Sequence, residues 1–432
     1  MRNNTSWLQH IPKHWEVKRF KEIFSIASTG FTPDSKNADN FDIDEVGYTW
    51  ITIADFTNKF VSKSNLFITQ KVVDEYLPQL TEKGALMFSF KLSVGKVAFA
   101  EKDLYTNEAI MSISPRNKQN LNYFYYLLPI VTIENATENI YGAKMLNQKL
   151  IANMSFPLPP LPEQEKIAHY LDTKVGEIDQ KVSLIEKKIE RYQLLKKSII
   201  NKVVTKGLYP EAPLKDSQIS WLGQIPAHWE VKRLRDVCQL NGRIGFRGYT
   251  NDDIVEDESD GAITLGPSNL AGMNMDYSHC KYLSWEKYYE SPEIMVREGD
   301  IILAKTASVG KYAYVDYLPK ETTVNPQLLV INNFDNAMPK YMAYNFASQV
   351  IDTQINYNVV GSTILTISQV AIGNFKFPLP PLSEQEEIVV YLNQKCADID
   401  AIIANCTAQI EKYKTLKRAL INEVVTGQRT IE

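Results

Sequence analysis

Two stretches of this chain are near copies of each other. "FPLPPLPEQEKIAHYLD" begins at Phe156, and "FPLPPLSEQEEIVVYLN" begins at Phe377, 221 residues on. "SWLQHIPKHWEVKRF" from Ser6 returns as "SWLGQIPAHWEVKRL" from Ser220, and "SVGK" at Ser93–Lys96 returns at Ser308–Lys311. The order is the same in both halves, so the chain is a tandem duplication. Repeats this long exclude a solenoid, whose units run to about 20–50 residues. Between the matched pieces, roughly 16–155 and 230–376, the halves share little beyond "SVGK". A common frame therefore carries two unlike modules.

Each proline stretch runs into a long helical pattern. Pro162 suits a first turn, where its missing N–H costs nothing, and Ser383 with Glu386 reads as a capping box. The first helix carries Leu171, Val175, Ile178, Val182, Ile185, Ile189, Tyr192, Lys196, Ile199 and Val203 at alternating spacings of four and three. The second carries Leu392, Cys396, Ile399, Ile403, Cys406, Ile410, Tyr413, Lys417, Leu420 and Val424 in the same phase. That is a coiled-coil seam, interrupted in each copy by one lysine. Gly207 and Gly427 end the helices. About 40 residues at 1.5 Å each predict roughly 60 Å of helix. Such a stripe must be buried. The economical partner is the other copy, in an antiparallel intramolecular pair; the alternative docks each helix on a different subunit. Cys396 and Cys406 read as small core residues on the seam.

The modules read as mixed α/β. "YTWITIADF", "GALMFSF", "GAITLG" and "GDIILAK" have strand character, while "NYFYYLL" and "PKYMAYNFASQVI" look helical. The tyrosines of "YFYYLL" fit core packing better than a base-stacking platform. The expected layout is residues 1–155 as a first module, 156–207 as a long helix, 208–376 as a second module and 377–432 as a second long helix.

Catalytic constellations do not assemble. "SVGK" has the Gly-Lys of a P-loop, but Phe90 and Lys305 stand where its first glycine belongs. "NPQ" at Asn325–Gln327 lacks the second proline and the aromatic of an amino-methyltransferase loop, and no dinucleotide fingerprint follows a strand. "EVK" at Glu16 and Glu230 has the tail of a nuclease motif without its acidic partner. Five histidines stand singly, and His279 beside Cys280 has no second ligand pair. The four cysteines have neither zinc nor redox spacing and suit reduced thiols in a cytoplasmic protein. No apolar run nears the roughly 20 residues that cross a bilayer, and no secretory leader pattern opens the sequence. The net charge of −4 argues against a chain coated in basic residues, not against one with a basic face.

On these features, the two "PLPPLxEQ" junctions, the long helices behind them, the "IPxHWEVKR" segments and the "SVGK" elements, the chain resembles the specificity subunit of type I restriction-modification enzymes over nearly its whole length. The resemblance implies two α/β (α+β) target-recognition domains joined by two long helices in an antiparallel coiled coil, a pseudo-twofold internal repeat. It implies a non-catalytic chain that binds double-stranded DNA, each domain reading half of a bipartite site. Two modification subunits would supply S-adenosylmethionine and methylate adenine, and restriction subunits would supply ATP- and Mg-dependent translocation and cleavage. This chain itself would bind no cofactor and no metal. Because the modules differ, the expected site is non-palindromic. The competing reading is a coiled-coil scaffold that never meets DNA and offers its "PxxP" runs as ligands.

Candidate DNA-contacting residues follow from chemistry: Lys, Ser and Thr for phosphates, Arg and Lys for base edges. Lys91, Ser93 and Lys96 share one short stretch of the first module. Lys305, Thr306, Ser308 and Lys311 hold the matching positions in the second. Since "SVGK" is common to unlike readers, it is either a phosphate-facing element or a structural glycine turn. Arg243 and Arg247 lie in the glycine-rich "NGRIGFRGYT", suited to guanine pairing, with no equally basic counterpart in the first module.

Overall fold

The computed structural model describes residues 11–25, 29–42, 46–91, 93–138, 144–361 and 363–431, apart from the Phe246 side chain. Contacts divide the chain into two compact units, Met1–Ile185 with Ala408–Glu432, and Glu186–Thr407. Each unit thus holds one module and parts of both long helices.

In the first unit a five-stranded sheet runs Phe24–Ser25, Ile110–Pro115, Leu86–Ser89, Val97–Ala100, Phe60–Val61. A four-stranded sheet runs Phe41–Asp42, Phe67–Ile68, Tyr48–Ile51, Tyr105–Thr106. Helix Leu121–Asn135 packs its aromatic start inward: Tyr123, Phe124, Leu127 and Leu128 are fully buried, so these residues build core and not a stacking surface. In the second unit one four-stranded sheet runs Gln239–Gly242, Leu328–Asn332, Ile301–Ala304, Tyr312–Tyr314. Another runs Ile254–Val255, Lys281–Ser284, Gly261–Leu265, Thr322–Val324, and helices Pro339–Phe346 and Gln349–Asn358 cover the core.

The frame repeats in register. Strand Glu16–Arg19 pairs antiparallel with Ser155–Leu158, Val17 facing Pro157. Strand Glu230–Arg233 pairs with Lys376–Leu379, Val231 facing Pro378. The proline stretch therefore begins as a strand. Proline fits there because a two-stranded ribbon leaves one row of backbone groups outside the ladder. Tyr123 Oη donates to the Pro157 carbonyl at 2.9 Å and Tyr341 Oη to the Pro378 carbonyl at 2.7 Å. Phe156, Pro157, Pro159, Phe377, Pro378 and Pro380 are buried. With the first proline of each "PxxP" run buried and the chain turning into a helix at Leu161 and Leu382, the runs are not presented as extended peptide ligands.

The long helices span Leu161–Lys206 and Leu382–Val425, 46 and 44 residues, somewhat longer than the sequence pattern suggests. The second begins at Leu382, so Ser383 lies inside the first turn and the expected capping box is not formed. Instead the Glu384 and Gln385 amides bond the Pro381 carbonyl at 3.0 Å. Gly207 and Gly427 follow the helices at φ +71° and +74°, left-handed values that close a helix end.

Every expected seam position is buried or half-buried, whereas Leu184, Leu194 and Leu416 stand 66%, 60% and 54% exposed. In the first unit Leu171, Val175 and Ile178 share a core with Leu420 and Val424. In the second unit Ile200 and Val203 share one with Ile388, Leu392 and Cys396. The start of one helix thus packs against the end of the other, the antiparallel arrangement.

Candidate nucleic-acid interface

In both modules "SVGK" is the turn of an antiparallel hairpin. Strand Leu86–Ser89 pairs with Val97–Ala100, and Ile301–Ala304 with Tyr312–Tyr314. Gly95 N donates to the Ser89 carbonyl and Gly310 N to the Ala304 carbonyl, each at 3.1 Å. The glycines sit at φ +92° and +89°, a conformation costly for any other residue. The shared tetrapeptide is accounted for by this turn.

Its neighbours fall into two groups. Lys96 Nζ donates to the Ile53 carbonyl at 3.4 Å and its amide to Ser89 Oγ at 3.0 Å, which ties it to the scaffold. Ser93 is exposed, and its carbonyl accepts from Ser89 Oγ. Lys91 is half-buried with its ammonium 5.4 Å from the Phe90 ring centre. In the second module Thr306 Oγ1 lies 3.4 Å from Thr366 Oγ1, Ser308 is half-buried and Lys311 exposed. Lys305 is half-buried, its ammonium 3.3 Å from where a side chain at Gly242 would begin. Among the described residues Lys91, Lys305 and Lys311 form no ion pair with a carboxylate. They are cations available to an anionic partner.

Arg243 and Arg247 do not share that availability. Arg243 is 6% exposed, its guanidinium donating to the Val324 carbonyl, the Arg247 carbonyl, Ser291 Oγ and Thr323 Oγ1 at 3.3–3.5 Å and lying 5.1 Å from the Tyr249 ring. Arg247 is held 3.3 Å from Glu293. The glycine-rich loop reads as exposed, but it folds back over the strand at Thr322–Val324, and Arg243 becomes the post that fastens it.

Sequence reasoning missed an exposed aromatic group beside the other sheet of this module. Trp285 stacks on Tyr289 at 6.0 Å between centres, with Lys320 Nζ 5.3 Å from the Trp285 ring; Tyr289 and Tyr317 are 64% and 62% exposed. Four aromatics within "YLSWEKYYE" are the signal that could have found it.

The two modules and the helix starts coincide with a known domain model. The type I restriction modification DNA specificity domain matches residues 12–191 and again residues 226–412. The chain belongs to that family. Its two modules are DNA specificity domains, each match beginning at an "IPxHW" segment and running into a long helix. The type I restriction enzyme MjaIX specificity subunit of Methanocaldococcus jannaschii is 26% identical over 435 residues, covering 98% of this chain and 95% of that protein. The MjaVIII specificity subunit of the same organism is 22% identical over 427 residues, covering 97% and 93%. A solved structure described as the structural basis of complex assembly and conformational transition of the type I R-M system superposes with a TM-score of 0.70 at 17% identity, covering 96% of this chain and 98% of that one. The specificity-subunit fold, two mixed α/β modules with two long antiparallel helices, is therefore shown for this chain. No helix among the described residues is long and apolar enough to cross a membrane.

Proposed function

We propose that this specificity subunit reads one bipartite, non-palindromic DNA site, one half with each module, and that the helix pair sets the gap between the halves. The observation that carries this reading is the contrast between frame and modules. The ribbon register, the glycine turns and the seams agree residue for residue, while the sheets they support differ in strand number and order. A fixed frame with unlike readers suits two unlike half-sites at one spacing. Duplex half-sites one turn apart lie about 34 Å from each other, within the reach of a helix of this length. The second half-site then binds as an intramolecular event, efficient only if the span matches.

Lys91, Lys305 and Lys311 would neutralise phosphates, and base reading would fall to the polar and aromatic side chains of each module. The chain would act without catalysis, cofactor or metal of its own, in the cytoplasm. Two modification subunits would bring S-adenosylmethionine to adenine, and a restriction subunit, where present, would bring ATP and Mg chemistry. The test is selection of random duplexes by the complex with modification subunits at fixed salt. Two fixed blocks of different sequence around a neutral spacer are expected. A palindrome, or no enrichment, contradicts the reading.

A further inference from the structure

In the second module a second hairpin lies against the "SVGK" turn. Val360 and Thr366 exchange backbone hydrogen bonds at 2.9 Å. Ala307 N donates to the Leu365 carbonyl at 2.8 Å, Ile367 N to the Lys305 carbonyl at 2.9 Å and Thr366 Oγ1 to the same carbonyl at 3.2 Å. Gly361 turns the chain at φ +107°, and a β-carbon there would fall 2.3 Å from the Ile364 carbonyl oxygen. The backbone is thus fastened at Val360 on one side and at 365–367 on the other. The side chains it presents are apolar and wet: Val360 is 61% exposed, Ile364 62% and Leu365 45%, with Tyr357 at 90% on the helix leading in. Three branched aliphatics left in water beside one turn are the mark of a surface that something covers.

Charge indicates what covers it. From Thr353 to Ser383 the chain has no aspartate or glutamate, nor has it any from Ile301 to Val315, although the whole chain carries 51 acidic residues in 432. The charged side chains in those two stretches are Lys305, Lys311 and Lys376 alone. Asp300 and Asp316, which bound the second stretch, are buried and held 3.2 Å from Lys340 respectively. Acid-free chain with lysines beside exposed aliphatics, Asp352 on the helix leading in being the nearest acid before it in sequence, complements a polyanion with apolar faces between its charges. Duplex DNA has that chemistry, and aliphatic wedges that enter a groove and part a base step are a general device for bending it.

We propose that residues 359–361 and 363–366 form a DNA wedge. Ile364 and Leu365, with Val360 beside them, press against the bases at one step of the second half-site, while Lys305 and Lys311 hold the adjacent phosphates. Backbone hydrogen bonds hold Val360, Leu365 and Thr366 before binding, which lowers the conformational entropy lost there on insertion. This inference rests on the reading of the second module as a DNA reader.

The test uses the complex with modification subunits and the duplex motif that the wild type selects. If the wild type selects no motif, the proposed function fails first, and the wedge with it. Given a motif, Ile364→Ser combined with Leu365→Ser is expected to weaken binding tenfold or more, with the slope of log K against log salt unchanged. 2-Aminopurine placed through the second half-site is expected to brighten at one step with wild type and to stay quenched with the variant. Lys305→Ala combined with Lys311→Ala is expected to reduce the salt slope by about two, close to 0.9 per phosphate contact. Val360→Ser, on the other strand of the tip, should give a smaller loss in the same direction. Unchanged DNA affinity of the serine variant, or loss of its assembly with the modification subunits while the thermal transition stays intact, overturns the wedge. The second result would mean that a protein covers the tip.

Discussion

Lys196 on the first long helix reaches Asp400 on the second, with Nζ 2.7 and 2.6 Å from the two carboxylate oxygens. Lys417 makes the same bond to Asp179, 2.7 Å to each oxygen. The residue numbers of both pairs add to 596, the constant sum that an antiparallel pairing requires. A lysine on an apolar seam would strand its charge; here each stem lies along the seam and its ammonium leaves by the edge. Because each bond forms at one alignment, the pairs act as register marks.

Reversing one mark should therefore cost stability that a second reversal restores. The pairs are partly exposed and screened, each worth about 1 kcal/mol or less. Lys196→Glu, which sets two carboxylates against each other, is expected to lower stability by about 1–2 kcal/mol in urea unfolding. Adding Asp400→Lys should recover most of that loss. A double variant no better than the single one would show that the pair does not set register.

The helix starts offer an internal comparison. Trp229 is fully buried and its Nε1 donates to Glu384 Oε2 at 3.0 Å, with His228 Nε2 2.8 Å from the same oxygen. Trp15 holds the matching place, yet its buried Nε1 makes no hydrogen bond to the described residues, and Glu163 is met by His14 at 2.9 Å. Trp229→Phe leaves the buried Glu384 short of a donor and is expected to cost about 1–3 kcal/mol. Trp15→Phe removes no bond and should cost less. Equal losses in thermal unfolding would contradict the difference drawn between the two junctions.

Asp300 gives a pH-dependent effect of known sign. Burial lifts its carboxyl from 3.8 to about 6, against the lowering pull of the Arg297 amide at 2.8 Å and of the Arg297 charge. The folded state then holds a proton that the unfolded chain has released, so this group's contribution falls as pH rises from about 4 through 6. Asp300→Asn removes the effect. The variant is expected to match the wild type near pH 4 and to exceed it by up to about 3 kcal/mol above pH 7. A constant difference across that range would contradict burial of a charged carboxylate.

Much of the frame was legible because its signals are periodic. The alternation of four and three from Leu171 to Val203 identified the buried stripe, and the two glycines identified where the helices stop. The partners of the seam lysines were not legible: Asp179 and Asp400 lie off the stripe and become partners only once an antiparallel register exists. The pairing of the prolines after Phe156 and Phe377 with the EVKR strands was not legible, being a contact across more than 130 residues. Arg243 looked exposed because glycines surround it, and only the fold of its loop over Thr323 buries it. The tip at Ile364 was hidden for the opposite reason. A short apolar run next to a glycine reads as core, and exposure is a property of packing.

The helix pair as a ruler is the central claim, and lengthening it tests that claim most directly. Seven residues inserted after Ser183, matched by seven after Lys412, preserve both the heptad phase and the antiparallel sum. They extend the pair by about 10 Å at 1.5 Å per residue, or roughly three base pairs at 3.4 Å each. Selection of random duplexes by the assembled complex is expected to return the same two half-sites with a spacer about three base pairs longer. The same half-sites at the original spacing, from a complex that assembles normally, would show that the helices do not set the distance.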